Sequence, residues 1–245
     1  MIKIINIVKK FNNKIVLNKL NLNINNGESV AIIGSSGCGK SVLLKHIVGL
    51  LKPDDGNVFI DNYDINTISL KELYKIRQKF GFLFQGAALF DSITVEENIA
   101  LPLIENKYNL KQKEIQKLVS EKLELVKLPN IHKLKPSELS GGMKKRVALA
   151  RALITNPEYM LYDEPTTGLD PVTSDAIDEL IKNLTDQLKI TSIVVTHDML
   201  SVKNISQRVV MLYNGNIHFD GSYDELMNSN DKVVKTFINR TTQQY

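Results

Sequence analysis

Residues 34–41 combine glycines, a lysine and a hydroxyl in the order that a phosphate-binding loop requires, GSSGCGKS. An apolar run precedes them at 29–33, which predicts a buried strand, and a second run at 42–51 predicts a helix. Glycines let the loop wrap so that backbone N–H groups point inward, and the helix N-terminus adds a partial positive charge. The pattern therefore predicts a nucleotide-phosphate site whose contacts are Gly34, Ser35, Ser36, Gly37, Cys38, Gly39, Lys40, Ser41 and Val42.

Two adjacent acids, Asp163 and Glu164, end a second apolar run at 159–162. Adjacent acids at a strand end are usually only solvated surface groups. Beside a phosphate loop, however, a magnesium ion needs a carboxylate, and we predict that Asp163 and the Ser41 hydroxyl supply its oxygen ligands. Lys40 would reach the β- and γ-phosphates of the nucleotide. Glu164 is then placed to orient or deprotonate the attacking water.

A second anion site is predicted at 139–143, LSGGM. It offers the Ser140 hydroxyl and the amides of Gly141 and Gly142 at the start of a predicted helix. One nucleotide does not need two such sites from one chain. The economical solution is that this segment covers the γ-phosphate held by a partner molecule, so that two chains sandwich two ATP molecules head to tail.

Composition limits the alternatives. The 245 residues suit one large domain, or one domain with a small added lobe, and 43% hydrophobic with 24% charged residues is ordinary for a globular protein. The net charge of +4 is better explained by solvated lysines than by a nucleic-acid surface, so no nucleic-acid partner is expected. The single cysteine, Cys38, favours a reducing compartment. No apolar run is long enough to span a membrane, so another chain would have to supply any span.

Strands alternate with helices along the chain, which predicts an α/β fold: a parallel sheet core with an antiparallel lobe at the N-terminal end. Capping boxes predict helices after Ser69 and Ser222, and Asn214-Gly215 predicts a hairpin. Residues 111–126 carry an amphipathic helical pattern, whereas 95–110 give no assignment. The apolar residues at 87–90 predict a docking surface, with burial under a helical lobe as the alternative.

In order and spacing, these motifs resemble those of ABC-transporter ATPases. Residues 34–41, Gln85, 139–143, 159–164, 168–170 and His197 match their Walker A, Q-loop, signature, Walker B, D-loop and H-loop. The resemblance implies a P-loop NTPase (RecA-like) core with a mainly parallel sheet, an N-terminal antiparallel β lobe and a helical subdomain at about 86–152. The ATPase domain would cover 1–228, followed by a C-terminal tail at 229–245.

The resemblance also implies roles residue by residue. Phe11 would stack on adenine, Gln85 would contact Mg²⁺ and the lytic water, and Asp170 would couple the two sites of a dimer. Ser140 and Gly142 would clamp the γ-phosphate across the dimer, and His197 would hold it while positioning the water. The implied catalytic set is Lys40, Gln85, Glu164 and His197, and the implied metal ligands are Ser41, Gln85 and Asp163. The other histidines, His46, His132 and His218, are interpreted as structural or exposed.

A subgroup is indicated by the signature, where Met143 begins a basic run instead of the usual glutamine-led one. The segments at 39–54, 84–103 and 136–153 resemble the MlaF (Mkl-like) type of Mce-associated phospholipid transport ATPases. This resemblance implies a homodimer on the cytoplasmic face of the inner membrane, an MlaE-like permease, an MCE-domain protein and a STAS-domain protein. The residues themselves do not identify the cargo or its direction. An importer or exporter ATPase for another cargo, such as an amino acid, stays open, as does a non-transport ABC ATPase.

Overall fold

The computed structural model describes residues 1–106 and 108–242. Its strands are β1 (Ile2–Phe11), β2 (Lys14–Ile24), β3 (Ser29–Ile33), β4 (Asp55–Ile60), β5 (Tyr63–Asp64), β6 (Phe80–Leu83), β7 (Tyr159–Asp163), β8 (Thr191–Val195), β9 (Arg208–Tyr213) and β10 (Asn216–Gly221). Its helices are α1 (Lys40–Ile47), α2 (Leu70–Arg77), α3 (Val95–Glu105), α4 (Gln112–Leu125), α5 (Gly141–Leu153), α6 (Pro171–Leu188), α7 (Met199–Ile205), α8 (Tyr223–Met227) and α9 (Lys232–Thr242), with a 3₁₀ turn at Pro136–Glu138.

The central sheet has the order β10-β9-β3-β8-β7-β6, and its neighbours from β9 to β6 are parallel. Every residue of β3 and β8 is buried, because helices cover both faces of a parallel sheet and each strand must then be apolar along its length. The predicted parallel core is confirmed. Since β3, β8 and β7 are adjacent and parallel, the segments that follow them leave the sheet at one edge.

The second sheet is the antiparallel lobe, with the order β2-β1-β4-β5. In β2 the apolar residues Leu20, Leu22 and Ile24 are buried, while Asn21 and Asn23 between them are exposed. This alternation is the period-two pattern that predicts a half-buried strand. The lobe lies at the N-terminal end of the chain, as expected, and it brings Phe11 to the end of β1.

Helices α3, α4 and α5 pack on one another and share a buried apolar cluster with β6, β7 and α6. Helix α3 occupies part of the segment that the pattern leaves unassigned. It begins with a capping box between Thr94 and Glu97 and contains Pro102. The buried Asn98 exchanges hydrogen bonds with the backbone of Phe90, at 2.8 and 3.0 Å, and so fixes the preceding loop to this helix.

Two segments differ from the sequence prediction, and one strand end fixes the place of a predicted site residue. The helix after the phosphate loop begins at Lys40 and ends at Ile47, because Gly49 takes a φ of +67° and the chain turns there. Strand β6 stops at Leu83, so Gln85 lies in the loop beyond it. Part of the polar tail forms α9, whose Val234 and Ile238 join an apolar cluster with residues of α7, α8, β3 and β9.

No helix in the described ranges combines the length and the apolar content needed to cross a membrane.

Candidate active site

The phosphate loop follows β3 with the backbone geometry that its glycines permit. Gly34 has a φ of +146°, and a Cβ built on it would lie 2.5 Å from the Leu212 carbonyl oxygen. Gly39 has a φ of +110° directly before α1. The Lys40 ammonium donates to the carbonyls of Gly34 at 2.7 Å and Ser35 at 3.2 Å, so it lies over the loop, where phosphate oxygens would replace those acceptors.

Ser41 and Asp163 meet at the same sheet edge. The Ser41 hydroxyl donates to Asp163 Oδ1 at 3.2 Å, joining the start of α1 to the end of β7. Burial raises the pKa of the Asp163 carboxyl and the adjacent Glu164 charge adds to the rise, while the Ser41 hydrogen bond and Lys40 oppose it. A hydroxyl and a partly buried carboxylate are hard oxygen donors, and they fit a magnesium ion.

Glu164 and His197 form a pair at the end of adjacent strands. The His197 Nδ1 lies 2.9 Å from Oε1 of Glu164 and 2.8 Å from Oε2. Thr167 donates to Oε2 at 3.0 Å, and the Glu164 backbone N–H donates to the Val195 carbonyl at 2.8 Å. The Glu164 side chain is only 14% exposed, whereas that of His197 is 51% exposed. A shielded carboxylate held by an imidazole that faces outward is suited to orient and activate a water.

The signature residues lie at the N-terminus of α5. Ser140 is exposed and accepts a hydrogen bond from the Met143 N–H at 3.3 Å, as a helix cap. Gly142 is buried, and a Cβ on it would lie 2.6 Å from the Thr173 methyl carbon. Asp170 caps α6 and accepts from the Thr173 N–H at 3.0 Å. The predicted anion site and the predicted coupling residue are thus packed together in one chain.

Phe11 and Gln85 lie at the margins of the site. The Phe11 ring is 43% exposed, with the Lys9 ammonium 5.6 Å from its centroid. An exposed ring at a strand end offers a face for an adenine to stack on. Gln85 is exposed, and its carbonyl accepts a hydrogen bond from the buried ammonium of Lys145.

Comparison with known proteins identifies the family to which this arrangement belongs. Residues 17–167 match the family model described as ABC transporter. The chain belongs to the ABC transporter family. It is an ABC ATPase, and the fold agrees: the dimeric ATP-binding cassette MJ0796, in a post-hydrolysis state with ADP and Pi, superposes with a TM-score of 0.83 at 39% identity. That match covers 91% of this chain and 99% of the cassette.

Curated relatives of this ABC ATPase carry several transport names. The intermembrane phospholipid transport ATP-binding protein MlaF of Haemophilus influenzae is 40% identical over 238 residues, which is 97% of this chain and 90% of that protein. The probable ribonucleotide transport protein mkl of Mycobacterium leprae is also 40% identical, with 68% of its length covered. The methionine import protein MetN 1 of Bacillus cereus is 41% identical over 244 residues, with 70% of its length covered.

Lys145 is a site residue that the sequence motifs do not predict. Its side chain is 5% exposed, and its ammonium donates to the carbonyls of Gln85 and, at 3.3 Å, Glu164. Burial lowers its pKa, and the charges of Glu164 and Asp163 oppose that effect. The sequence did contain a signal for the burial of Lys145. Ala148 and Leu149 follow it by three and four residues, and this helical spacing places Lys145 on the apolar face of α5.

The remaining histidines and the cysteine each have a local setting. His46 is fully buried on α1 with Nδ1 2.7 Å from the Val42 carbonyl, and burial lowers its pKa. His132 contacts the Ser120 hydroxyl at 2.9 Å, and His218 contacts Asp231 at 2.9 Å. Burial raises the pKa of the Cys38 thiol, so it is less reactive than an exposed thiol.

Proposed function

We propose that this ABC ATPase works as a head-to-tail homodimer that hydrolyses ATP and drives a separate membrane permease carrying phospholipid. The observation that carries the proposal is the convergence of Ser41, Asp163, Glu164 and His197 at one sheet edge, with the two contacts of 3.2 and 2.9 Å described above. The cargo is inferred from MlaF, of which the chain covers 90%.

The proposed chemistry is mainly positioning and charge stabilisation. Lys40 and the loop amides bind the phosphates, and Phe11 stacks on the base. Ser41 and Asp163 would hold Mg²⁺, with Gln85 completing its contacts, and the ion would neutralise charge on the phosphate oxygens. Glu164, oriented by His197, accepts the proton of the attacking water.

The dimer is proposed because the signature segment, 139–143, forms a second anion site that the nucleotide bound by its own chain does not need. Ser140 uses its hydroxyl to cap α5, and a Cβ built on Gly141 or Gly142 would meet the side chain of Leu169 or Thr173. The helix N-terminus they form can still bind an anion. MJ0796, with 39% identity and 91% coverage of this chain, is a dimeric cassette. By analogy Ser140 and Gly142 complete the partner's nucleotide site, with Asp170 beside it.

A permease would dock in the groove of about 500 Å³ between α2, α3 and the loop after β6. Phe84 and Phe90 line it and are 42% and 54% exposed. Within the predicted docking stretch Ala87 is buried and Leu89 is partly buried, whereas Ala88 and Phe90 face the groove. Only alternate residues are therefore offered to a partner. This docking would hold the chain at the inner face of the membrane.

Phospholipid as cargo implies an MlaE-like permease, an MCE-domain protein and a STAS-domain protein as partners. To test this, Glu164→Gln is purified with ATP from gently solubilised membranes, and the copurifying proteins and lipids are identified by mass spectrometry. Loss of the general base should trap the ATP-bound complex. The control is Glu179→Gln, the same change on the exposed side of α6.

The outcomes separate the parts of the proposal. A permease with an MCE-domain protein and bound phospholipid supports all of it. A permease with a solute-binding protein retains the ATPase assignments and overturns the cargo, in favour of an importer such as the methionine system that MetN 1 is named for. A chain that is recovered alone and stays monomeric with ATP contradicts both the dimer and the permease.

A further inference from the structure

A buried polar cluster lies behind the Glu164–His197 pair. It consists of Asp178 on α6, Ser201 on α7 and Thr166 in the loop after Glu164, and we name it the Asp178 cluster. These residues are 1%, 0% and 6% exposed. The hydroxyl oxygens of Thr166 and Ser201 are 3.3 Å apart, within hydrogen-bond distance. The Ser201 side chain is also a hydrogen-bond partner of the Asp178 carboxyl. The cluster therefore joins α6, α7 and the loop after Glu164 without reaching solvent.

Asp178 carries a carboxyl group in a position where burial destabilises the folded protein. Burial raises its pKa to about 7, the Ser201 and Asn204 side chains on α7 oppose the rise, and the carboxylates of Asp198 and Asp175 add to it. In the described part of the chain its Oδ1 has no hydrogen-bond partner. A buried carboxyl in such surroundings costs stability that an apolar side chain would not. A group retained at that cost points to a role in function.

The cluster's neighbours suggest that role. Thr166 follows Glu164 by two residues, and Ser201 follows His197 by four. Between His197 and Ser201, Asp198 caps α7 by accepting the N–H groups of Leu200 and Ser201. The position of α7 therefore sets the position of His197. The cluster links the two backbone segments that carry the catalytic pair.

We propose that Asp178 is a positioning residue for hydrolysis: through Ser201 and Thr166 its buried carboxyl holds α7 against the loop after Glu164. His197 then keeps its hydrogen bond to Glu164. Ionisation of Asp178 buries a charge and places it beside Asp198 at the start of α7 and Asp175 on α6. Desolvation and this repulsion outweigh the hydrogen bonds from Ser201 and Asn204, and α7 moves away. This inference rests on the catalytic roles proposed for Glu164 and His197.

The test compares the pH dependence of kcat in wild type and Asp178→Asn, using the full chain. Wild type should lose roughly threefold to tenfold in kcat between about pH 6 and 8.5, with KM for ATP unchanged. Asparagine keeps the shape and stays neutral, so Asp178→Asn should retain its acid-side kcat across that range. Asp186→Asn, an exposed site on the same helix, should follow wild type. Superposable profiles of Asp178→Asn and wild type overturn the proposal.

A second pair of variants tests the link if Asp178→Asn does not fold. Thr166→Val removes the hydroxyl but keeps the shape, and it should lower kcat without changing KM, whereas Thr166→Ser should retain kcat. Equal kcat in wild type and Thr166→Val contradicts the inference. Glu164→Gln separates this failure from that of the proposed function: if Glu164→Gln still hydrolyses ATP, the catalytic assignment itself is wrong.

Discussion

Glu164 owes the direction of its carboxylate to a backbone conformation that most residues avoid. Its φ is +50°, in the left-handed region, directly after the strand that ends at Asp163. A residue other than glycine in this region lowers the stability of the fold by roughly 1–3 kcal/mol. Such residues are found mainly where the surrounding structure requires them. Here the strain turns the chain between two acids, so that Asp163 faces Ser41 while Glu164 faces His197.

Lys145→Met should weaken the link between the loop after β6, which carries Gln85, and the segment after β7, which begins at Glu164. The variant removes charge-assisted hydrogen bonds to the part-buried carbonyls of Gln85 and Glu164 and leaves both carbonyls without this donor. We expect a loss of about 1–3 kcal/mol in the free energy of unfolding and a fall in kcat. Urea unfolding and steady-state ATPase assays measure the two effects. The neighbouring variant Lys144→Met is the control, and equal behaviour of both variants contradicts the role of Lys145.

At the residue scale, the sequence predicted the groups whose chemistry is set by type and spacing. Ser41, Asp163, Glu164 and His197 come together because the strands that carry them are adjacent and parallel. Lys145 escaped prediction because it lies in a run of basic residues that usually stays solvated. Asp178 escaped for a related reason: an acid on an amphipathic helix is expected on the polar face, and only the packing of α7 against α6 buries it.

At the scale of elements, the loop between β6 and α3 is the segment through which we expect the ATPase to contact its permease. Arg151 donates to the carbonyls of Ala88 at 2.7 Å and Ala87 at 2.8 Å, while Asn98 holds Phe90. The loop is thereby fixed on α5 and α3 before any partner arrives. A preformed surface loses less entropy on binding than a mobile one.

Asp91→Lys should uncouple transport while sparing basal hydrolysis. The side chain is exposed next to Phe90, which lines the groove, so a reversed charge disturbs the contact with a docked partner without altering the nucleotide site. Transport and ATPase activity are measured together in proteoliposomes of the purified transporter. Asp186→Lys, the same reversal on α6, is the control. Unchanged transport in Asp91→Lys contradicts docking at this groove.

Two helices could not be predicted well from pattern alone. Helix α3 contains the nearly continuous apolar stretch Ile99 to Ile104 with Pro102 inside it, so it shows no polar face of helical period. Its capping box at Thr94 was the available signal. Helix α9 has short apolar pairs in a polar tail, and its stability comes from packing against α7 and α8 rather than from its own sequence.

Val234→Ala should destabilise the fold although the residue lies in the C-terminal tail. Val234 is 1% exposed and belongs to the cluster that covers Met211 and Leu226. Removing two buried carbons should lower the free energy of unfolding by about 1–3 kcal/mol. Chemical denaturation is the measurement, with the half-buried Val233→Ala as the control. If neither variant changes stability, α9 does not contribute to the folded core.

For the whole molecule, the main question is whether each nucleotide site is built by two chains. The sheet edge supplies Lys40, Asp163, Glu164 and His197 from one chain, and α5 presents Ser140 at a separate helix N-terminus. In a head-to-tail dimer the sheet edge of each chain faces the α5 N-terminus of its partner. The two-fold axis then produces two identical composite sites. Such a site needs Lys40 from one chain and Ser140 from the other.

Mixing two inactive variants should therefore restore hydrolysis. In a Lys40→Ala and Ser140→Arg heterodimer, one site keeps both an intact Lys40 and an intact Ser140. Half of randomly mixed dimers are heterodimers with one of two sites intact, so about a quarter of wild-type activity is expected if the sites act independently. The control mixes wild type with a chain carrying both changes. Every site in that heterodimer is then defective, so only the wild-type homodimers act and about a quarter of wild-type activity is expected, whereas sites built within one chain would leave about half. If dimers form and the first mixture stays inactive, Lys40 and Ser140 do not serve one site in trans.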